Sequence, residues 1–324
     1  MDAEIADNGA VLLGSCLTCD AHYKRPVRAV THAHFDHTLG LSQSVAQCEY
    51  VIMTPQTKDI IEIVGGKRLI NSPKINLLQY EIPFIYGAER ITFYPAHHII
   101  GSAQVLLEGA TRIVYTGDFR LREAPIESDI LVIEATYGNP HQRRRFKDEV
   151  KSALIDLIRK SLKSGAVYVF GYYGKLQEVL EVMHLANLGV PVVMPEKVFK
   201  LMKVSEKYGM NFGEYYEATK SNFEPPFIAL YHMGAKRWVG RGATRGATSK
   251  IYLSGWEFEK PVRKETEREF TVSFSDHADF DELMEYVRLS HPKFVITDNK
   301  RVGDAETLAS EIRKRFGIKA QPMP

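Results

Sequence analysis

Apolar residues along this chain fall first in short blocks separated by turn residues. Residues 10–14 and 17–20 read as strands, and Arg28-Ala29-Val30 reads as the end of a buried one. Residues 48–53 predict a further strand and 55–64 a short helix. From 75 to 107 the pattern is strand after strand with turns, followed by buried strands over 112–119 and 130–138. Beyond 138 the pattern changes. An amphipathic, charged helix is predicted over 141–163, a strand over 167–170, and a helix over 176–188 that Gly189 stops. A short strand at 190–193 and a helix at 196–208 continue the alternation, which predicts a small, mostly parallel α/β unit. Strands over 251–256 and 293–299, with amphipathic helices ending at Leu289 and Phe316, follow.

Composition narrows this picture only modestly. With 324 residues the chain has room for a sizeable core and two domains. A net charge of +2 gives no global basic field, so any nucleic-acid surface must be local. Cys16, Cys19 and Cys48 are too few for a disulfide framework and suit a reducing compartment; Cys16-x-x-Cys19 reads as core packing. No apolar run reaches the roughly 18 residues of a membrane span, and no secretory signal opens the chain. The expectation is a soluble, cytoplasmic protein.

The chemistry concentrates in Thr31-His32-Ala33-His34-Phe35-Asp36-His37, just past a strand end. His32 and His34 are two apart and can turn to one side, while Asp36 and His37 can reach a second point nearby. Imidazole and carboxylate are ligand types that hold zinc, iron or manganese at neutral pH. Four potential ligands in this order are a specific signal, unlike the two basic stretches at 143–147 and 236–250. Charge runs of that kind are commonly solvated faces, although Arg237, Trp238 and Arg241 could grip a phosphate backbone and stack a base.

His-x-His-x-Asp-His resembles the signature of the metallo-β-lactamase superfamily, and later motifs resemble its β-CASP nuclease branch. That branch includes Artemis-like DNA repair nucleases and archaeal mRNA 3′-end processing factor-like exonucleases. The resemblance implies an α/β fold: an αββα sandwich from 1–138 and 253–324, with an inserted α/β cap over 139–252. It makes Asp20 the carboxylate that supports the metal site. It makes His98, within Ala96-His97-His98-Ile99-Ile100-Gly101-Ser102, a ligand, and Asp118 of Thr116-Gly117-Asp118 a carboxylate shared by two cations. Glu134 of Glu-x-Thr-Tyr-Gly and His277 of Ser275-Asp276-His277-Ala278-Asp279 match the paired acid and histidine of the branch. Ser102 and the turn carrying Gly174 and Lys175 match places that could meet phosphate. The last motif departs from the RNA-processing pattern. Where those members carry a histidine after a strand, this chain has Asp298, read as a carboxylate ligand of the second metal.

The implied site holds two divalent ions, zinc first, with manganese or magnesium admissible at the second. One takes His32, His34, His98 and Asp118; the other takes Asp36, His37 and Asp118, with Asp298. The implied reaction is phosphodiester hydrolysis by metal-activated hydroxide, with His277 as general acid. The partner is nucleic acid. The missing histidine favours a 5′ exonuclease on DNA over an endo- or exoribonuclease of RNA processing. A small-molecule hydrolase of the thioesterase or lactonase type would use the same metals, but would not need the insert, His277 or the basic loops.

Overall fold

The computed structural model of the chain describes residues 2–66, 70–219, 223–239 and 248–324. It divides into two compact units, one of Met1–Arg143 with His277–Pro324, the other of Arg144–Asp276.

In the first unit, among the described residues, two sheets carry the core. The six-stranded sheet runs Ala3–Ile5, Ala10–Leu13, Leu17–Asp20, Val27–Ala29, Tyr50–Met53 and Ile75–Leu77. Its early strands pair antiparallel and its later ones parallel. The seven-stranded sheet runs Lys319–Met323, Phe294–Asp298, Ile130–Ile133, Arg112–Tyr115, Ala103–Glu108, Glu89–Pro95 and Phe84–Tyr86. Alternate residues of a strand point to opposite faces, and the two cores follow that rule. Ile113, Tyr115, Val105 and Leu107 face Val11, Leu13, Leu17, Cys19 and Ile52 of the other sheet. Val114, Leu106, Leu131 and Val295 turn outward, where the helices Phe280–Ser290 and Ala305–Phe316 cover them with Leu283, Val287, Leu308 and Ile312. Both helices start on an aspartate cap: Asp279 forms a capping box with Glu282, and Asp304 accepts from Thr307 N.

The second unit, among the described residues, is a seven-stranded sheet in the order Tyr216–Glu217, Val192–Met194, Ile228–His232, Val167–Gly171, Ser249–Ser254, Glu269–Ser273 and Val262–Lys264. All its pairs are parallel except the last. The helices Val150–Leu162, Tyr173–Ala186 and Glu196–Lys207 pack Leu154, Ile158, Leu180 and Met202 onto one face. The other face is aromatic, with Tyr168, Phe170, Tyr231 and Tyr252 side by side.

The alternating pattern therefore gave the right kind of second unit but placed its end too early. The strand Ser249–Ser254 pairs with Val167–Gly171, and Glu269–Ser273 pairs with it in turn. Residues 253–276 thus complete the second sheet, and the chain rejoins the first unit at His277 rather than at 253. The helix expected over 141–163 begins only at Val150. Arg144, in the basic run before it, is buried; it donates to Gly255 O at 2.5 Å and lies over the Phe258 ring at 4.8 Å. Arg143 pairs with Asp281 at 2.8 Å. Those two arginines of the run are therefore engaged within the fold, while Arg145 and Lys147 are exposed. All three cysteines are buried free thiols, and burial pushes Cys16 up to about 12 and Cys19 well above its ordinary value. No helix among the described residues is long and apolar enough to cross a membrane.

One close approach explains a glycine of the Glu-x-Thr-Tyr-Gly segment. A Cβ on Gly138 would lie 2.3 Å from Asp304 O, inside the turn that starts the last helix. Asn139 Nδ2 donates to Asp304 Oδ2 beside it at 3.0 Å. Gly138→Ala is expected to destabilise the first unit by about 1–3 kcal/mol through overpacking, read as a lowered urea midpoint with unchanged slope.

Candidate metal centre

The histidine loop leaves the strand Val27–Ala29 and closes in a short 3-10 turn, Phe35–His37. Its backbone is fixed by His37 N to His34 O at 3.1 Å and Thr38 N to Phe35 O at 3.1 Å. Asp20 ends the neighbouring strand in the left-handed region, φ 64°, a conformation aspartate tolerates better than most residues. There its carboxylate turns back into the loop. Oδ1 accepts from Thr31 N at 2.9 Å and Thr31 Oγ1 at 2.8 Å. Oδ2 lies 2.7 Å from His37 Nδ1 and accepts from Tyr115 OH at 2.9 Å. The bond to Asp20 fixes which nitrogen of His37 is left for other work: Nε2.

Four ligand atoms converge. His34 Nδ1 lies 3.1 Å from His32 Nε2 and 3.0 Å from His98 Nε2. Asp118 Oδ2 is 3.6 Å from each of His32 Nε2 and His98 Nε2. A tetrahedron with bonds of about 2.0–2.1 Å has edges of about 3.4 Å, so these separations fit one small cation. Gly117, at φ 53°, takes the turn that aims Asp118, and Ser102 Oγ accepts from His98 N at 3.1 Å to hold the other side. A second point lies where His37 Nε2 is 3.3 Å from both Asp36 Oδ2 and Asp118 Oδ2.

The electrostatics match a cation site. Burial, then the neighbouring histidines, hold His32 well below its usual range, so it is a neutral ligand. Burial opposes ionisation of Asp118, but His37 and then His277 outweigh it and keep the carboxyl well below its usual range. Burial also opposes charge on His37. Asp118 chiefly, with Asp20, overcomes this and the repulsion of Arg301, so its proton is held well above the usual range.

Glu134 sits at the end of the strand Ile130–Ile133. Its Oε1 accepts from Phe119 N at 2.7 Å, and its Oε2 lies 2.9 Å from His277 Nδ1. The His277 ring is 4.5 Å from that of His98, centroid to centroid. A carboxylate on Nδ1 leaves His277 Nε2 as the nitrogen that can exchange a proton with substrate.

Three expected site residues have other partners in the structure. Asp298 does not join the ligand cluster: it is 2% exposed and ion-paired with Arg301 through Oδ2, while Oδ1 accepts from Lys300 N at 2.9 Å. Ser102 is 2% exposed, and its hydroxyl oxygen accepts from His98 N. Lys175 is 7% exposed and lies 3.5 Å from Asp276. Gly174 lies in the first turn of Tyr173–Ala186, half-buried. Arg237 and Trp238 are exposed, and Arg241 lies outside the described residues. Sequence reading missed Arg301, whose only signal was a cation three residues after Asp298. It also missed Phe35, 82% exposed between His34 and Asp36.

No protein-family model matches the chain. It is 27% identical over 319 residues, 93% of its own length, to a probable DNA ligase of Opitutus terrae, of which it spans 29%. It is 33% identical over 138 residues, 41% of its length, to an uncharacterized protein of a lig 3′ region of Acidianus ambivalens, spanning 99% of that protein. To the DNA cross-link repair protein SNM1 of Arabidopsis thaliana it is 22% identical over 326 residues, 91% of its length and 64% of the relative's. A crystal structure of an Enterococcus faecalis protein of unknown function shares the fold, with TM-score 0.62 and 15% identity over 92% of this chain and 79% of that one. The chain belongs to the metallo-β-lactamase superfamily, in its β-CASP nuclease branch, a family of enzymes.

Filling the site is expected to stabilise the fold, since a ligand bound at a hundred times its Kd contributes about 2.7 kcal/mol. Zinc or manganese added to metal-free protein should raise the unfolding temperature, and His34→Ala should abolish most of the rise. Zinc uptake at pH 7 should also release protons in weak buffer, because the proton on His37 must leave; His37→Ala should release fewer.

Proposed function

We propose that this protein is a metal-dependent nuclease that removes nucleotides from 5′ ends of DNA. The observation that carries this reading is the Glu134–His277 pair beside the four-ligand cluster, because a small-molecule hydrolase would not need a separate proton donor there. Two relatives lean towards DNA, since nearly the whole chain aligns within a probable DNA ligase and another is named for DNA cross-link repair, whereas others are named a probable RNase and an endoribonuclease.

His32, His34, His98 and Asp118 would hold one divalent ion, and Asp36, His37 and Asp118 a second. Such ions supply an activated water and steady charge on a phosphate. The side chains do the rest. His277, held through Nδ1 by Glu134, donates the proton of Nε2 to the departing sugar oxygen as the phosphorus–oxygen bond breaks. Water contributes hydroxyl to phosphorus and its remaining proton returns to solvent, so the products are a phosphate monoester and a free hydroxyl. Asp20 keeps His37 oriented. The exposed ring of Phe35, between His34 and Asp36, offers a surface on which a base can stack.

The test is cleavage of matched 5′-labelled single-stranded DNA and RNA with zinc or manganese, by wild type and His277→Ala. Release of labelled mononucleotides from DNA, slowed about 10²–10⁴-fold in the variant, is the expected outcome. Faster cleavage of RNA would move the protein to RNA processing. Cleavage of neither, by protein carrying its metals, would overturn the nuclease reading; side-by-side hydrolysis of a fluorogenic thioester would then point to a small-molecule substrate.

A further inference from the structure

Arg301 lies in the loop after the strand Phe294–Asp298, with its side chain 13% exposed. Its Nη1 is ion-paired with Asp298 Oδ2. Nη2 lies 3.6 Å from Asp20 Oδ2 and donates to Gly9 O at 3.4 Å. Its Nε is buried and has no hydrogen-bond partner among the described residues. A buried guanidinium is costly to desolvate, and one with an unsatisfied N–H more so, so its partners must compensate it. Those partners are two buried carboxylates, and one of them, Asp20, holds the imidazole of His37.

The arrangement has two consequences for the metal centre. The guanidinium engages Asp298 Oδ2, and Lys300 N engages Oδ1, so both oxygens of that carboxylate already have partners outside the ligand cluster. The guanidinium is also a fixed positive charge linked to the second cation position through two side chains, Asp20 and then His37. Like charges in a buried setting repel more strongly than in water. With one divalent ion at the four-ligand site, Arg301 already offsets part of the negative charge that would draw in another.

We propose that Arg301 is a built-in cation that tunes the second metal position, making it weak and exchangeable by holding Asp298 and by repelling the incoming ion. It is a positioning residue: it acts on the centre through Asp298, Asp20 and His37. The inference rests on the metal-centre part of the proposed function and not on the identity of the substrate.

The experiment is a metal titration of the full chain, needing no nucleic acid. Metal-free wild type, Arg301→Gln and Asp298→Asn are titrated with zinc against a chromophoric chelator, and bound metal is counted by elemental analysis after desalting. Wild type is expected to keep one equivalent through desalting and to take up a second reversibly. Arg301→Gln should bind the second about tenfold more tightly or better, the scale on which outer groups shift metal affinity. Adding Asp298→Asn to it should remove most of that gain. Asp298→Asn alone frees the guanidinium from its counter-charge, so it should weaken the second position while two equivalents still bind at saturation. A second-site affinity unchanged or weakened in folded Arg301→Gln would overturn the proposal. So would loss of an equivalent at saturation in Asp298→Asn, which would make Asp298 a ligand. If Arg301→Gln does not fold, the Asp298→Asn result decides, since an unchanged second affinity there also overturns it. A nuclease with these metal-binding outcomes absent would retain its proposed function and lose only this role for Arg301.

Discussion

A single carboxylate binds the first unit together. Asp20 ends a strand of one sheet, yet its oxygens take hydrogen bonds from the histidine loop through Thr31 and from the opposite sheet through Tyr115. It also meets His37 and Arg301. With no exposure to water, it must find all its partners within the protein. The left-handed backbone at Asp20 is the local strain that allows this, and the interactions around it outweigh that cost. Strand, loop and facing sheet are thereby locked in one register. The ligand cluster, which spans both sheets, depends on that lock more than on any bond between its own members.

The sandwich was legible because its strands are short apolar blocks and its ligands lie in tight motifs. His32, His34, Asp36 and His37 could be read from spacing alone, since four ligand-type residues in six positions have few other uses. His98, Asp118, Glu134 and His277 needed resemblance, because they are far apart in sequence and each motif alone reads as an ordinary turn. The structure brings all of them into the first unit. What failed to show was which side chains are buried. Ser102, Lys175 and Arg144 look available on paper, but each is consumed by a partner distant in sequence or by the packing of its own turn. Asp298 failed for a related reason: a carboxylate after a strand fits a ligand or an ion pair equally well, and only the position of Arg301 decides. The boundary at 253 was misplaced because hydrophobic pattern reports that a segment is a strand, not which sheet it joins.

The second unit reaches its stability by different means. Its sheet is parallel nearly throughout, with three helices on one face and a bank of aromatic rings on the other. The buried Lys175–Asp276 pair ties the start of one helix to the last residue of the unit. Truncating either partner would strand a charge in the interior, which is costlier than having no pair at all. This explains why a lysine that appears to await phosphate is instead part of the framework.

The interrupted layout of the first unit also sets the order in which the centre can come into being. A chain emerging from the ribosome delivers its N-terminal parts first. His32 to His37, His98 and Asp118 arrive early, but the neighbouring strand Phe294–Asp298, the two covering helices and His277 arrive only after the whole second unit has been made. A nascent chain can present ligands to a metal long before it owns its proton donor or a closed core. Such a layout withholds the proton donor and the covering helices from the ligand cluster until the second unit has been made.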